Sequence, residues 1–381
     1  MLLSLAPETW KSRLKAEFFP LNRRRDIDGL RGLAVLLVMF FHAGWLKGGF
    51  IGVDIFIVIS GYFMGRSAFM QHPFRAERFV WRRLYRLVPA LLVMIIVVCA
   101  SMLWWVLQSD RADIAQNGAY ALVYLSNIWA SHHVGYFEGQ AIAYPFLHTW
   151  SLSLEMQFYL VIFLVALLLP RLKSRRGLLY ALLAASFLYS IVASYRGEHA
   201  AYYSILSRLW EFSLGTLIWV LPALPQSLLL SGLCYGVAVA VLVLCAVFYD
   251  LTFACPSLMA LLPCVATMLI IMQPHALTRR MLEPLSPVGV ISYSLYLWHW
   301  PAIVLAAYLL SFQVQGLTMA LVLVGAVLAG TLSYLWVERP LLDYENRAMP
   351  AAARRGAGIL VGLCGATALV LAWLSFLSRV H

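Results

Sequence analysis

A chain of 381 residues that is 62% hydrophobic and only 12% charged is not a soluble globular domain. Its formal charge of +11 sits in short segments between apolar runs, which assigns it to membrane topology and excludes nucleic acid as a partner. The six cysteines, Cys99, Cys234, Cys245, Cys255, Cys264 and Cys364, fall mostly inside apolar runs with no metal spacing, so they read as small core residues and no metal is expected.

Residues 1–25, MLLSLAPETWKSRLKAEFFPLNRRR, are mixed and basic without a long apolar core, and read as a cytoplasmic lead-in. The predicted spans are 29–45, 50–70, 87–107, 149–170, 177–195, 207–222, 227–249, 254–273, 287–311, 315–337 and 356–378, eleven in all. The fold class is therefore all-α, a polytopic membrane protein whose backbone groups are satisfied within each helix. The stretch 113–131, DIAQNGAYALVYLSNIWAS, is apolar enough to cross but is broken by Gln116, Asn117, Ser126 and Asn127. Parity assigns it. With an inside N-terminus and no crossing there, the basic clusters at 23–25, 75–86, 171–176, 278–280 and 345–355 all face the cytoplasm, whereas a crossing would turn the last three outward. Residues 108–147 are then one long external excursion, partly re-entrant, and the C-terminus is external. Residues 26–345 make one membrane domain, followed at 346–381 by a cytoplasmic loop and an additional span, with no internal repeat visible.

The residues that could carry chemistry appear in the same order. Arg31 and His42 lie eleven positions apart in the first span. Eleven residues turn through about 1100°, close to three full turns, and rise about 16 Å, so the two share one helix face. An ionisable residue inside a span is costly, and by default it faces a protein-lined or wet cavity where it has a function. Gly48, Gly49 and Gly52 allow a tight external turn and close packing of the first two helices. Asp54 follows just inside the second span, ahead of Ser60 and Tyr62, and is placed to orient the imidazole or to pair with a cation. Arg75, Arg78, Arg82 and Arg86 are spaced by three, four and four, one face of a helix, with Arg83 beside them. Topology alone accounts for any single arginine, but the stripe suits a polyphosphate ligand arriving from the cytoplasm. PFLHTWSLSLEMQFYLVIF buries Glu155 one to two turns below His148, with Trp150, Ser151 and Ser153 nearby. PVGVISYSLYLWHWPAIV sets Ser292, Tyr293, Tyr296 and His299 on or near one helix. Trp298 and Trp300 there belong to an interfacial belt, and His299 reads as a structural histidine.

The motifs RDIDGLRGLAVLLVMFFHAG, GGFIGVDIFIVISGYFM, RFVWRRLYRLVPA, HTWSLSLEMQFYL, ISYSLYLWHWP and VERPL, in this order, closely resemble the acyltransferase 3 family of integral-membrane acyltransferases, of which the bacterial O-antigen O-acetyltransferases are typical. The resemblance covers roughly residues 25–345. Arg31 and His42 match the family's basic residue and essential histidine. Arg78, Arg82, Arg83 and Arg86 match its arginine-rich segment, Gly48, Gly49 and Gly52 its glycine-rich turn, and Trp150, Ser151 and Glu155 its tryptophan-serine-glutamate motif. The resemblance implies ten core helices. In several members an eleventh leads to a periplasmic SGNH-type domain, and no GDS-type serine motif follows the eleventh helix here. Whatever that domain supplies is expected from a partner, or is unnecessary.

The resemblance also implies a bacterial inner-membrane enzyme in contact with lipid. Acyl-CoA, here acetyl-CoA, docks from the cytoplasm, and the acceptor is a glycan or lipid-linked glycan such as lipopolysaccharide O-antigen. The four family-matched arginines would hold the nucleotide phosphates and Arg31 would steady the thioester arm. His42 would act as general base or transient acyl carrier, with Asp54 or Glu155 fixing its tautomer. No residue pattern specifies an oligomeric state. A transporter or a flippase of lipid-linked glycan is the competing class, since ionisable residues also line transport paths. A transporter needs no general base, and the pairing of an intramembrane histidine with inside arginines favours the enzyme.

Overall fold

In the computed structural model the described residues are 24–70, 74, 76–105, 107–133, 142–168, 172–221, 228–250, 258–272, 280–310, 314–347 and 350–380. Most of the lead-in, Arg75 and Cys255 lie outside them. The described residues form helices and no strand. In chain order these are α1 (Arg25–His42), α2 (Ile51–Met70), α3 (Ala76–Trp105), α4 (Gln108–Leu122), α5 (Ser126–His133), α6 (Trp150–Leu168), α7 (Leu172–Tyr195), α8 (Ile205–Leu217), α9 (Leu228–Phe248), α10 (Leu258–Met272), α11 (Ser286–Val290), α12 (Ser292–Leu309), α13 (Gly316–Ser333), α14 (Arg339–Arg347) and α15 (Pro350–Val380). A 3-10 turn, Leu147–Thr149, precedes α6, and a π-helical turn, Tyr334–Glu338, joins α13 to α14.

Among the described residues seven helices are long and apolar enough to cross a membrane, or eight when the pair Arg280–Val290 and Ser292–Leu309, bent by 64°, is taken as one span. Three of the eleven expected spans, those in α1, α8 and α10, are not among these, and α1 is 18 residues long but carries Arg25, Asp26, Asp28 and Arg31. At 1.5 Å per residue, α8 with 13 residues and α10 with 15 reach only about 20 Å, short of a hydrocarbon core of about 30 Å. α10 still exposes Leu258, Leu262 and Val265, whereas α8 is wrapped by other helices and need not meet lipid along its whole length. α8 is buried on every side from Ser207 to Thr216. By contrast α9 exposes Leu229, Leu233, Val237, Val243 and Val247, and α13 and α15 present similar apolar faces, as lipid-facing helices do.

The stretch 113–131 folds into two short helices, neither of them among those long and apolar enough to cross. α4 and α5 form a hairpin whose turn holds Tyr124 at φ 56°. The polar residues that broke the apolar pattern dock this hairpin onto α6. Thr149 Oγ1 donates to Ser126 Oγ at 2.8 Å, the Ser126 amide to Ser153 Oγ at 3.1 Å, and the Gln157 amide to Asn127 Oδ1 at 2.8 Å. Asn117 Oδ1 likewise accepts from the Phe146 amide at 3.1 Å.

Close helix contacts depend on glycine. Gly61 of α2 sits where a Cβ would meet the Phe212 carbonyl of α8, and Gly215 of α8 where a Cβ would meet the Val58 carbonyl of α2, so the two helices touch backbone to backbone. A buried ion cluster locks the same interface. Arg208 of α8, 1% exposed, donates to Asp54 of α2 at 2.7 Å and to Glu211 at 2.9 Å, and its guanidinium lies 4.7 Å from the Tyr202 ring. At the basic end, buried Arg175 of α7 donates to the Ala68 carbonyl at 2.5 Å and the Ala166 carbonyl at 2.8 Å, satisfying late carbonyls of α2 and α6 together.

Two stability outcomes follow from this interface. Gly215→Val will lower the melting temperature in detergent because its side chain must push α2 off α8. Arg208→Met strands two buried carboxylates and will cost about 3–5 kcal/mol in equilibrium unfolding, more than Arg196→Met in the exposed turn after α7.

Candidate active site

α1 and α12 run in the same direction, and two polar contacts join them. Near their starts, Arg31 Nη2 donates to Ser292 Oγ at 2.9 Å; further along, His42 Nδ1 lies 3.0 Å from His299 Nε2. Arg31 and His42 thus share the face of α1 that meets α12. The His42 and His299 rings stack at 5.1 Å between centroids, and Trp300 covers His42 at 4.6 Å. His299 is fully buried and its Nδ1 lies 2.7 Å from the Tyr296 carbonyl, whereas His42 is partly exposed at the end of its helix. His148, buried in the 3-10 turn, places its ring 5.5 Å from both His299 and Tyr296.

Below the imidazoles is a cavity of about 80 Å³, lined by polar groups that include Arg31, Arg86, Glu155, Ser60, Ser151 and Ser292, together with Tyr159, Tyr296 and apolar residues. Ser60 Oγ donates to Glu155 Oε1 at 2.6 Å, and the Tyr159 hydroxyl donates to the same oxygen. Tyr296 belongs to both places. Its side chain lines the cavity and bonds Ser151 Oγ at 2.7 Å and the His148 carbonyl at 2.8 Å, while its own carbonyl accepts from His299.

Neither carboxylate expected to orient His42 touches it. The stripe Asp54, Val58, Gly61 is the face of α2 packed on α8, which commits Asp54 to Arg208. Glu155 shares its stripe with Ser151 and Tyr159, and that stripe faces the cavity one helix away from the imidazole. Nδ1 of His42 meets His299, which the sequence reading gave a structural role. The arginine stripe also divides. Arg78 and Arg82 are exposed and Arg86 reaches the cavity, but Arg83 turns inward, its guanidinium 3.6 Å from the Phe79 ring and donating to the Phe79 carbonyl at 2.8 Å and to Met64 Sδ at 2.9 Å.

The remaining expected residues lie in packing positions. Gly48 abuts the Cys245 carbonyl, Gly49 that of Leu37 and Gly52 that of Ala34, so these glycines let α1, α2 and α9 approach. Trp150 is buried against Tyr202 and Tyr203. Tyr62 stacks on Trp219 at 5.0 Å. Sequence reasoning missed Arg208 and Glu211, though two charges three apart in the apolar run 207–222 are the same signal that singled out His42. It also missed Tyr159, four residues after Glu155 on the same face, and the bond of 2.9 Å from Ser294 Oγ to buried Glu338.

The acyltransferase domain family matches residues 24–336. A protein named as a membrane-bound transacylase, BcsY, of Komagataeibacter xylinus is 63% identical over 377 residues, covering 99% of this chain and 98% of its own. O-acetyltransferase OatA of Staphylococcus aureus is 34% identical over 360 residues, 83% of this chain, and peptidoglycan O-acetyltransferase OatA of Listeria monocytogenes is 29% identical over 350 residues. The chain spans a little over half the length of these two, 56% and 55%. No solved structure matches it. With six ordered motifs, a helical bundle built for the membrane and a family match over most of its length, the chain belongs to the acyltransferase 3 family of membrane acyltransferases.

Proposed function

We propose that this protein is an O-acetyltransferase that moves an acetyl group from acetyl-CoA on the cytoplasmic side of the bacterial inner membrane to a hydroxyl of a surface glycan on the other. The observation that carries this reading is the arrangement along α1: the half-buried His42 at one end, and about 16 Å away Arg31 beside a hydroxyl-rich cavity that Arg86 enters from the basic end. The name of the Listeria relative gives peptidoglycan as its acceptor, which supports a polysaccharide hydroxyl as the acceptor class. Lipopolysaccharide O-antigen is one such acceptor. The N-terminus is inside and the C-terminus outside. In support, α15 begins near Tyr85 on the basic end of α3 and runs toward Gly118 of α4, which lies beside Leu371.

Exposed Arg78 and Arg82, with Arg86 one turn deeper, form the stripe that receives the phosphates of the donor. Arg83, engaged by Met64 and Phe79, holds α3 against α2 instead. The pantetheine arm passes Arg31, whose guanidinium steadies it in the cavity about 16 Å along α1 from His42. His42 takes the proton of the glycan hydroxyl as its oxygen attacks the thioester carbonyl carbon. The C–O bond forms, the C–S bond breaks, and the leaving thiolate collects that proton from the imidazolium. Phe56 and Tyr296 line the cavity with their rings 6.2 Å apart, and Tyr296 also lies 5.4 Å from the His299 ring, so the arm passes them on its way to the histidines.

Membranes holding the full chain and supplied with radiolabelled acetyl-CoA will transfer label to glycan, and His42→Ala will lower that rate by about 10²–10⁴-fold. A flippase would move unmodified glycan and consume no donor. Full activity in His42→Ala would remove the base. Arg86→Gln will raise the acetyl-CoA KM, by about tenfold for a lost charge-assisted contact of 1.4 kcal/mol, with a smaller change in turnover.

A further inference from the structure

We propose that Glu155 is the residue that recognises the donor as a pantetheine thioester, by accepting the N–H of a pantetheine amide at Oε2. This rests on acetyl-CoA being the donor. It gives a use to an acid that the proposed transfer chemistry leaves aside.

The two carboxylate oxygens of Glu155 differ. Oε1 is filled from within the protein: Ser60 Oγ of α2 donates to it at 2.6 Å, and the Tyr159 hydroxyl donates to it from one turn further along α6. Two donors from two helices hold the side chain in place. Oε2 has no hydrogen bond among the described residues, yet it is not sealed in as Glu211 Oε2 is. Glu155 is half-buried and lines the cavity, so the open oxygen is offered to whatever enters there. Among the described residues that line the cavity, Glu155 is the only acid. Arg31 and Arg86 can only donate, and the hydroxyls of Ser60, Ser151 and Ser292 are tied to Glu155, Tyr296 and Arg31 in turn.

The pantetheine arm carries two amides between its phosphates and its sulfur. Away from water each N–H has to meet an acceptor or the complex loses affinity, and a carboxylate is the strongest acceptor a protein offers. The depth of Glu155 matches. α6 runs from the turn carrying His148 toward the basic end. Ser151, one turn before Glu155, bonds Tyr296, whose ring lies 5.4 Å from that of His299. Glu155 therefore lies between the histidines, where the thioester has to arrive, and the arginine stripe, where the phosphates stay. The amides lie between the same two ends of the donor. A thioester without amides would leave Oε2 facing an apolar chain, and a site built around a hydrogen bond rejects the analogue that lacks it.

An amide-to-ester exchange removes one N–H and leaves the rest of the arm in place. Acetyl-CoA and its analogues with one or the other pantetheine amide replaced by an ester are compared as labelled donors, in membranes of the full chain and of Glu155→Gln at matched expression. Gln keeps an oxygen for Ser60 and Tyr159 and puts an amide nitrogen, a donor, in the place of Oε2. On the wild-type chain one of the two esters will lose about 10- to 100-fold in kcat/KM, mainly through KM. Glu155→Gln will lose a similar factor with acetyl-CoA and will accept that ester at least as readily as the amide. A wild-type chain indifferent to both esters overturns the proposal, and that result needs no variant to fold. Loss of one common factor with all three donors in Glu155→Gln also overturns it, since a residue that only holds α2 against α6 would behave that way. Absence of any transfer from acetyl-CoA by the wild-type chain would instead remove the donor itself, a result distinct from both.

Discussion

Away from water a polar group must meet a partner or lose several kcal/mol, and that constraint organises this bundle. The groups that obey it also hold the helices. Asp54, Arg208 and Glu211 join α2 to α8; Ser60, Glu155 and Tyr159 join α2 to α6; Arg31 with Ser292, and His42 with His299, join α1 to α12. Apolar packing around these contacts supplies bulk attraction but little direction, because lipid tails are as apolar as leucine. The polar contacts supply the direction, so the registers of α1, α2, α6 and α12 are set by groups that also face the proposed reaction path.

This explains how far the molecule is legible in its sequence. Helical spans announce themselves through apolar length, and the one-face placement of Arg31 and His42 follows from 3.6 residues per turn. The polar interruption of 113–131 was readable, and Asn117, Ser126 and Asn127, which break its apolar pattern, find their partners on and just before α6. Partner choice was not readable. Asp54 was a plausible neighbour of His42 by level, yet its stripe on α2 faces α8, and only the helix arrangement tells which face meets which neighbour. Arg83 shows the same limit within a single turn: one residue from Arg82, it points the opposite way and spends its donors on Met64 and Phe79.

Short inner helices are the second thing the sequence conceals. α8 carries Arg208 and Glu211 because protein surrounds it, and an inner helix needs neither full spanning length nor an apolar surface. Hydropathy treats each stretch as if it met lipid alone, which is true of α9 and α13 and untrue of α8. The family relationship and the fold agree where this matters, since the matched region, 24–336, contains every contact between α1, α2, α6, α8 and α12 named above.

The π-helical turn Tyr334–Glu338 has a consequence of its own. Such a turn is an α-helix carrying one surplus residue, so everything after it is rotated by about 100° relative to an uninterrupted helix. Glu338 closes that turn and accepts from Ser294 of α12. Removing a single residue between 334 and 337 would restore ordinary winding and swing the carboxylate about a quarter-turn away, and α14 with it. The phase of one helix, more than its composition, thus decides where an acid is aimed.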